Sequence, residues 1–399
     1  MHGDTPPDAI PVSCPFKADV GAAGSVLGNV VQKPQHELTK AREDVRLASK
    51  LTECKARCAP TRVPQTVQAF LSCDRLSQQF VCVPATASLR ISNDAYLECW
   101  SVYMGTPSPA CIPWVGTRFA SVRGKNYLLD EHGNNLVSAN LPGGGWRTRH
   151  DHVKWTIAAL AKWAGLELSC EVLNLFSVLI PRTATFHQEP ARSRQGYIPD
   201  FLLYATQELA DLKCMSVCKS NYPPVRFRHG IRHDAAKVRQ NKVWRQYRRN
   251  LRTVDIKHCG WDPATSTMGP CQTKLVSYGH TKGLVVGGYA EGSPDLHSLI
   301  NKMAETGAVK HLQALACPIL REARTAVRNK LYAAMGVASV RGLALLRLER
   351  LAQVIAGSES GRAARERRAR AQAEWRAFNQ SYQDRHAYDN RNPGADNRW

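Results

Sequence analysis

The segment YIPDFLLYATQELADLKCMSV, residues 197–217, predicts the central β-hairpin of this chain. It contains two mostly apolar runs, Tyr197–Ala205 and Leu209–Val217, and each is long enough to form a buried strand. The short polar connection between them allows the two strands to pair as a hairpin. The stretch therefore predicts a sheet that carries the charged side chains of Asp200, Asp211 and Lys213.

The spacing of these charged residues predicts that they share one face of the sheet. Side chains alternate along a strand, so Asp211 and Lys213 point the same way. In a hairpin with a two- or four-residue loop, we expect Asp200 to lie across from Lys213 and diagonal to Asp211. An odd loop length would move Asp200 to the opposite face and separate the three residues.

A further carboxylate, Glu171, lies in the segment ELSCEVLNLFSVLI that precedes the hairpin, and this segment is expected to form a strand or a pair of strands. Facing carboxylates repel each other unless a divalent cation lies between them, and hard oxygen ligands suit Mg²⁺ or Mn²⁺. We therefore predict Asp200 and Asp211 as metal ligands, with Glu171 assisting and Lys213 orienting a water molecule. This chemistry is that of phosphodiester hydrolysis.

Helical patterns surround the predicted strands. Apolar residues at helical spacing over 150–166 predict a helix that ends at Gly165. A basic helix is predicted over 233–254, Gly-bearing strands and turns over 255–290, and further helices near 294–306, 307–334 and 338–356. We expect an α+β (α/β) core, a mixed sheet flanked by helices, with helical N- and C-terminal extensions.

Composition shifts and Gly or Pro clusters suggest five segments, with one boundary at the Pro142–Gly145 run. We predict a flexible leader with one surface helix (1–65), a helical and loop-rich region (66–147), the core (148–292), a helical extension (293–356) and a polar basic tail (357–399).

The charge of the chain points to a polyanionic partner. Lys and Arg number 54 and Asp and Glu 33, which gives a formal charge of +21. Seven of the basic residues, and no acidic one, lie within 237–252, where such dense like charges repel each other without a counter-anion. A solvated helix face is the alternative. The same helix has an apolar stripe at i, i+4, i+8 and i+11, formed by Val243, Tyr247, Leu251 and Val254. The candidate nucleic-acid contacts are Lys237, Arg239, Gln240, Lys242, Arg245, Arg248, Arg249 and Arg252.

Targeting and cysteine patterns favour an intracellular protein. The 13 cysteines are an odd number, no Cys-x2-Cys pair occurs, and the N-terminus lacks the pattern of a secretory signal. We expect free thiols in a reducing compartment and no structural zinc. No stretch approaches 18 uncharged apolar residues, so we expect no membrane span. We also predict no small-molecule cofactor.

The order Glu171, Pro199-Asp200, Asp211-Leu212-Lys213 resembles the PD-(D/E)xK nuclease superfamily over residues 150–290. The resemblance implies a restriction-endonuclease-like fold and a metal-dependent nuclease. In that family a helix after the Asp-x-Lys strand contributes polar or basic groups, which correspond to Lys237 and Gln240. A Gln-x-x-x-Tyr pattern of some members is only approximated, because Trp244 follows Gln240 at the fourth position.

Residues 71–335 also resemble the region after the polymerase in eukaryotic retrotransposon-type reverse transcriptase reading frames. The matching positions, in order, are Asp130/Gly133, Arg149-His150-Asp151, Gly165-Leu166, Pro199-Asp200 and Asp211. The Cys/His knuckle of that family is reduced here to Cys111 and His132, with Asn134 and Asn140 where ligands are expected. No Tyr/Phe-x-Asp-Asp polymerase motif occurs, so the resemblance implies a detached or decayed C-terminal portion.

Three functions follow as hypotheses. The first is a metal-dependent endonuclease-like domain of retroelement origin that hydrolyses DNA, with RNA as a further partner, in the nucleus more than in the cytoplasm. The second is an inactive nucleic-acid-binding relic of the same fold. The third, suggested by charge alone, is a basic structural component of a ribonucleoprotein particle.

Overall fold

A four-stranded mixed sheet lies at the centre of this protein, whose structure is a computed structural model. The structure describes residues 65–81, 89–172, 175–187, 198–218, 220–222 and 235–358, and a few isolated positions. The strands of this part of the chain are β1 Arg118–Ala120, β2 Asn126–Leu128, β3 Leu168–Cys170, β4 Phe201–Leu203, β5 Glu208–Cys214 and β6 Lys282–Val286.

Eight α-helices belong to the same described residues. They are α1 Gln65–Ser72, α2 Asn93–Met104, α3 Asn134–Ser138, α4 Gly145–Ala164, α5 Ala235–His258, α6 Pro270–Ser277, α7 Pro294–Lys310 and α8 Leu320–Ser358.

The central sheet has the strand order β3-β4-β5-β6. Strands β3, β4 and β5 are antiparallel neighbours, and β6 joins β5 in parallel. Helix α4 precedes β3, while α5 and α6 form the crossover from β5 to β6. The predicted α+β class, with a mixed sheet between helices, is confirmed.

One face of the sheet is covered by α4, α7 and α8. Alternate strand residues point to this face, as the pleat requires, and they form the largest apolar cluster with the three helices. Members of this cluster from the sheet and helices include Val153, Ile157, Phe201, Ala210, Leu212, Leu284, Leu296, Ile300, Met303, Leu331 and Met335.

The opposite face is covered by α5 and α6. Leu202 and Leu209 of the sheet pack there against Val243, Tyr247 and Leu251, which form the predicted apolar stripe of the basic helix. Burying each such side chain contributes about 1.5–3 kcal/mol. The stripe therefore fixes which side of α5 faces the sheet.

Two predicted segments differ from the structure at their boundaries. Helices α7 and α8 pack on α4 and the sheet, so 293–356 belongs to the core and is not an appended extension. The chain separates into units 1–60 and 61–399, so the boundaries at 147 and 292 fall inside one unit. Apart from a few isolated positions, the surface helix predicted within 1–65 and the tail from 359 lie outside the described residues.

Local predictions also need correction. In the described part of the segment after α4, β3 is the predicted strand, and the residues around Val178 form a 3₁₀ turn. The region 255–290 contains the end of α5 and all of α6 as well as β6. The three predicted helices after 293 are two, because α8 runs unbroken through residue 338.

By length and composition alone, helix α8 is long and apolar enough to cross a membrane. Of its most apolar window, 83% is buried inside the structure. Core helices of globular proteins pass the same test, so this helix is weak evidence for a membrane span.

The degenerate knuckle does not form a ligand set. Cys111 is buried in an apolar cluster with Leu129 and Leu136. The His132 ring bonds to the Thr106 carbonyl oxygen at 3.0 Å. Asn134 donates to the side chain of Gln65 at 2.6 Å. The His132 contact joins its turn to Thr106, and the Asn134 contact joins the start of α3 to the start of α1.

Gly283 sets how closely α5 approaches β6. A Cβ added there would lie 2.9 Å from the backbone Cα and O atoms of Gln240. We expect Gly283→Ala to lower the free energy of unfolding by about 1–3 kcal/mol, because the helix must shift outward. Urea unfolding measures the change. Gly357→Ala is the control, since nothing lies within 4 Å of its added Cβ, and an equal effect of both variants would contradict the packing argument.

Candidate active site

Asp200 and Asp211 face each other across the β4–β5 hairpin. The register pairs Phe201 with Ala210 and Leu203 with Glu208, so the next pair outward is Asp200 with Asp211. The predicted register, with Asp200 across from Lys213, is wrong by two residues. A shift of two keeps every side chain on its face, so Lys213 remains on that face as the diagonal neighbour.

Asp211 is almost completely buried, with 3% of its surface exposed. Its Oδ1 accepts a hydrogen bond from the Tyr247 hydroxyl at 2.8 Å, and its Oδ2 lies 2.5 Å from Lys213 Nζ. Burial raises the pKa of this carboxyl, and the charge of Lys213 opposes the rise. Helix α5 and strand β5 thus position both oxygens.

Asp200 is held by contacts from three elements. Its Oδ2 accepts from the Leu212 backbone N–H at 2.8 Å and lies 3.3 Å from His150 Nε2 on helix α4. Its backbone carbonyl accepts from the Glu171 N–H at 2.9 Å. Helix α4, the end of β3 and strand β5 therefore converge on this residue.

His150 lies between two carboxylates. Its Nδ1 is 3.2 Å from Asp151 Oδ1, and its Nε2 faces Asp200. Burial lowers the pKa of the imidazole, but the hydrogen bonds to Asp151 and Asp200 outweigh burial and raise it to about 9. His150 is therefore protonated at neutral pH and adds a positive charge to the site.

This pKa shift predicts a pH-dependent contribution of His150 to stability. A pKa raised above its unfolded value of 6.5 stabilises the fold fully below pH 6.5, and this stabilisation is lost as the pH rises through about 9. We expect His150→Gln to cost about 2–3 kcal/mol at pH 6 and much less at pH 9.5.

Urea unfolding of the parent chain and the variant at a series of pH values measures this difference. The control is His280→Gln, at an exposed histidine beside Trp244. A cost of His150→Gln that does not change between pH 6 and 9.5 would show that His150 is not charged by its carboxylate partners.

The side chain of Glu171 makes its ion pair with a lysine of helix α4. Its carboxylate pairs with Lys154 of α4, whose side chain is 3% exposed, while the Glu171 side chain is 46% exposed. Lys154 also lies 3.4 Å from Asp151 Oδ1. Burial lowers the pKa of Lys154, but the bond to Glu171 and the charge of Asp151 outweigh it and raise the pKa. Glu171 is thus at the edge of the site.

Sequence analysis missed four contributors to this site, one of which, His150, was noted only within the Arg149-His150-Asp151 match. Tyr247 was assigned only to the apolar stripe, and Lys154 carried no motif. Arg149 was noted only within the Arg-His-Asp match, yet its guanidinium donates to the carbonyls of Met215 and Gly287 at 2.7 and 3.1 Å. The one signal for Tyr247 was the approximate Gln-x-x-x-Tyr pattern, which pointed to the right helix.

The basic side chains of α5 form a surface opposite its apolar stripe. Most of them are exposed, and Arg239 is half-buried. We call this surface the basic face of α5; its exposed members are Lys237, Lys242, Arg245, Arg248, Arg249 and Arg252.

The side chain of Gln240 makes a contact inside the protein and is not part of the exposed basic face. Its Oε1 accepts from the Asp295 backbone N–H at 3.1 Å, and its backbone lies against Gly283. The side chain thus joins α5 to the start of α7. Its predicted part in nucleic-acid binding or in the site finds no support in this contact.

Compact metal-ligand geometry occurs elsewhere in the described residues. The one group of three or more Asp, Glu, His or Cys ligand atoms within 4.8 Å of one another is Asp255, Cys259 and Cys271. Glu171, Asp200 and Asp211 do not form such a group.

The nine described cysteines are free thiols, at positions 73, 99, 111, 170, 214, 218, 259, 271 and 317.

Comparison of the chain with known proteins finds no matching family model, no matching curated protein and no matching solved structure.

Proposed function

We propose that this chain is a divalent-metal-dependent nuclease that hydrolyses DNA phosphodiesters. The observation that carries the proposal is the pairing of Asp200 with Asp211 across the hairpin, with Lys213 on the same face. Two carboxylates and one ammonium on a rigid sheet suit phosphodiester hydrolysis.

The order of elements supports a restriction-endonuclease-like arrangement. Helix α4 is followed by the antiparallel strands β3, β4 and β5, then by α5 and the parallel strand β6. This order agrees with the resemblance to the PD-(D/E)xK superfamily. The proposal includes a retroelement origin for this domain, in agreement with the resemblance to the region after the polymerase in retrotransposon-type reading frames.

The donor set of the hairpin fits Mg²⁺ or Mn²⁺. Asp200 and Asp211 would hold the ion, because their facing carboxylates offer hard oxygen ligands. When bound, such an ion polarises a phosphodiester and lowers the pKa of a bound water. Glu171, paired with Lys154, is an assisting residue at most.

The residues of the chain have distinct parts in this proposal. Lys213 holds a positive charge beside Asp211, where it orients the attacking water and offsets negative charge that develops on the phosphate oxygens. His150 donates to Asp200 from Nε2 and fixes that carboxylate. Tyr247 does the same for Asp211 from helix α5.

DNA is the proposed substrate because of the basic face of α5. Its arginines and lysines would contact phosphates, which provides affinity without reading sequence. RNA remains the alternative partner, and a nuclear location follows from a DNA substrate. Neither a small-molecule cofactor nor a membrane enters the proposal.

The test is incubation of the purified full-length chain with supercoiled plasmid and Mg²⁺, Mn²⁺ or a chelator. We expect nicking with either metal and none with the chelator. An Asp200→Ala/Asp211→Ala double variant is the control. Nicking that survives in this variant, or an absence of nicking in the parent chain, would overturn the proposal.

The basic face carries its own prediction. We expect the triple variant Arg245→Gln/Arg248→Gln/Arg249→Gln to weaken duplex DNA binding and to reduce the slope of log K against log salt by up to about 3, since each phosphate contact contributes about 0.9. Fluorescence anisotropy over a salt series measures both. The control removes the same charge at exposed positions elsewhere, in Lys274→Gln/Arg321→Gln/Arg324→Gln. Equal slopes for the two triples would contradict the prediction.

A non-catalytic nucleic-acid-binding protein of the same fold is the second candidate. The observation that favours it is the ion pair of Glu171 with Lys154, together with the finding that Glu171, Asp200 and Asp211 do not form a compact group of metal ligands. Retardation of DNA in a gel without nicking under any metal condition would select this candidate.

A further inference from the structure

A second cluster of ionisable groups is separate from the hairpin and lies where α5 ends and α6 begins. Asp255 and Cys259 are one helical turn apart near the end of α5, and Cys271 is in the first turn of α6. Asp255 is fully buried, Cys271 is buried and Cys259 is half-buried. Their ligand atoms all lie within 4.8 Å of one another.

The distance between the two sulfurs suits a shared metal ion. Cys259 Sγ and Cys271 Sγ are 4.0 Å apart. Two thiolates bound to a tetrahedral zinc at about 2.3 Å lie roughly 3.8 Å from each other, whereas a disulfide requires about 2.05 Å. The observed separation therefore matches coordination with little movement.

The Asp255 carboxylate retains capacity to bind a cation. Its Oδ1 accepts from the Cys271 N–H at 2.8 Å and its Oδ2 from the Gln272 N–H at 3.0 Å. An ionised carboxylate has about four lone-pair positions, and the Cys259 and Cys271 thiols contact those that the two N–H groups leave. These two bonds also fix the carboxylate in a single orientation beside the sulfurs.

Zinc binding requires that both thiols lose their protons. Burial raises the pKa of both thiols, and the charge of Asp255 adds to the rise for Cys271. A divalent cation favours the loss of these protons because it binds the thiolates, and binding releases the two protons.

We propose that Asp255, Cys259 and Cys271 bind one zinc ion, with water as the fourth ligand. Soft thiolates with one carboxylate select zinc over Mg²⁺. The site fastens the C-terminus of α5 to the N-terminus of α6 and closes the connection between them. The expectation of no structural zinc rested on finger spacing, which a group with eleven residues between its cysteines does not have.

The position of the site gives it a consequence for α5. This helix carries the basic face and also Tyr247, which bonds to Asp211. Zinc at one end would hold the helix in its orientation on the sheet. The proposal does not depend on nuclease activity, because its ligands are separate from the hairpin carboxylates.

The test is the metal content and the cobalt spectrum of the full-length chain. We expect one zinc per chain, and after exchange with Co²⁺ a thiolate-to-cobalt charge-transfer band with the strong visible bands of tetrahedral cobalt. Cys259→Ser/Cys271→Ser should lose both the zinc and these bands. The control Cys170→Ser/Cys317→Ser, at two half-buried cysteines outside the group, should keep them. Bands that persist in the first double variant, or a parent chain without them, would overturn the proposal.

A second measurement does not depend on the folding of any variant. The parent chain is alkylated with and without a strong chelator, and the modified cysteines are identified by mass spectrometry. We expect Cys259 and Cys271 to be protected with zinc and to react faster once the chelator removes it. Equal reaction in both conditions, or recovery of the two cysteines as a disulfide, would overturn the proposal.

Discussion

Asp211→Asn is expected to abolish metal-dependent nicking of plasmid DNA, with a loss of at least about 100-fold, while DNA binding in the absence of metal changes little. The substitution removes one of two facing carboxylates and leaves the basic face of α5 unchanged. Plasmid nicking and anisotropy on the same preparations measure the two effects separately.

The fold of this variant should survive, which makes the loss interpretable. Asparagine has the shape of aspartate, and its side-chain oxygen can still accept from Tyr247. Burial raises the pKa of Asp211, so its contribution to stability is largest while it is protonated and falls as the pH rises through that pKa. A neutral amide avoids this penalty at neutral pH.

The matched control is Glu208→Gln on the same strand. Glu208 is three residues from Asp211 and therefore lies on the opposite face, where it pairs with Lys282 and Lys302. We expect this variant to nick DNA at the rate of the parent chain. Unchanged nicking by Asp211→Asn would remove Asp211 from the metal site, and equal losses in both variants would indicate a general effect on the strand.

The sequence predicted the parts of the fold that local periodicity determines. Alternation placed Asp211 and Lys213 on one face, and helical spacing identified Val243, Tyr247 and Leu251 as the buried stripe of α5. The Gly165 end of α4 was also predicted, and its left-handed conformation is the reason that glycine ends the helix there. These features depend on residues a few positions apart.

Register and partners depend on residues far apart, and there the sequence was insufficient. The hairpin register depends on Gln207, which adopts a left-handed conformation. Glutamine is not a residue type that predicts this conformation. The pairing of Lys154 with Glu171 joins a helix to a strand end. Helix α6 was predicted as strands and turns because the carboxylate that caps it, Asp255, is at the end of another helix.

Arg149→Ala is expected to lower the free energy of unfolding by about 3–5 kcal/mol, the largest stability effect that we predict. The guanidinium is 1% exposed and donates to the Met215 carbonyl directly after β5 and to the Gly287 carbonyl directly after β6. Alanine would leave both carbonyls without these donors and would leave a cavity between α4 and the sheet.

Strand β5 carries Asp211 and Lys213, so we expect the loss of the Arg149 hydrogen bonds to disturb the positions of these two side chains as well. Arg149→Lys should recover part of the stability, since an ammonium retains the charge but not the fork that spans two carbonyls. Arg147→Ala is the control: this side chain is 66% exposed and pairs with Asp151 one turn away, so we expect a change within about 0.5 kcal/mol. Urea unfolding compares the three variants. If Arg149→Ala costs no more than Arg147→Ala, the ends of β5 and β6 are held by the parallel ladder itself, and Arg149 contributes nothing to positioning the aspartate pair.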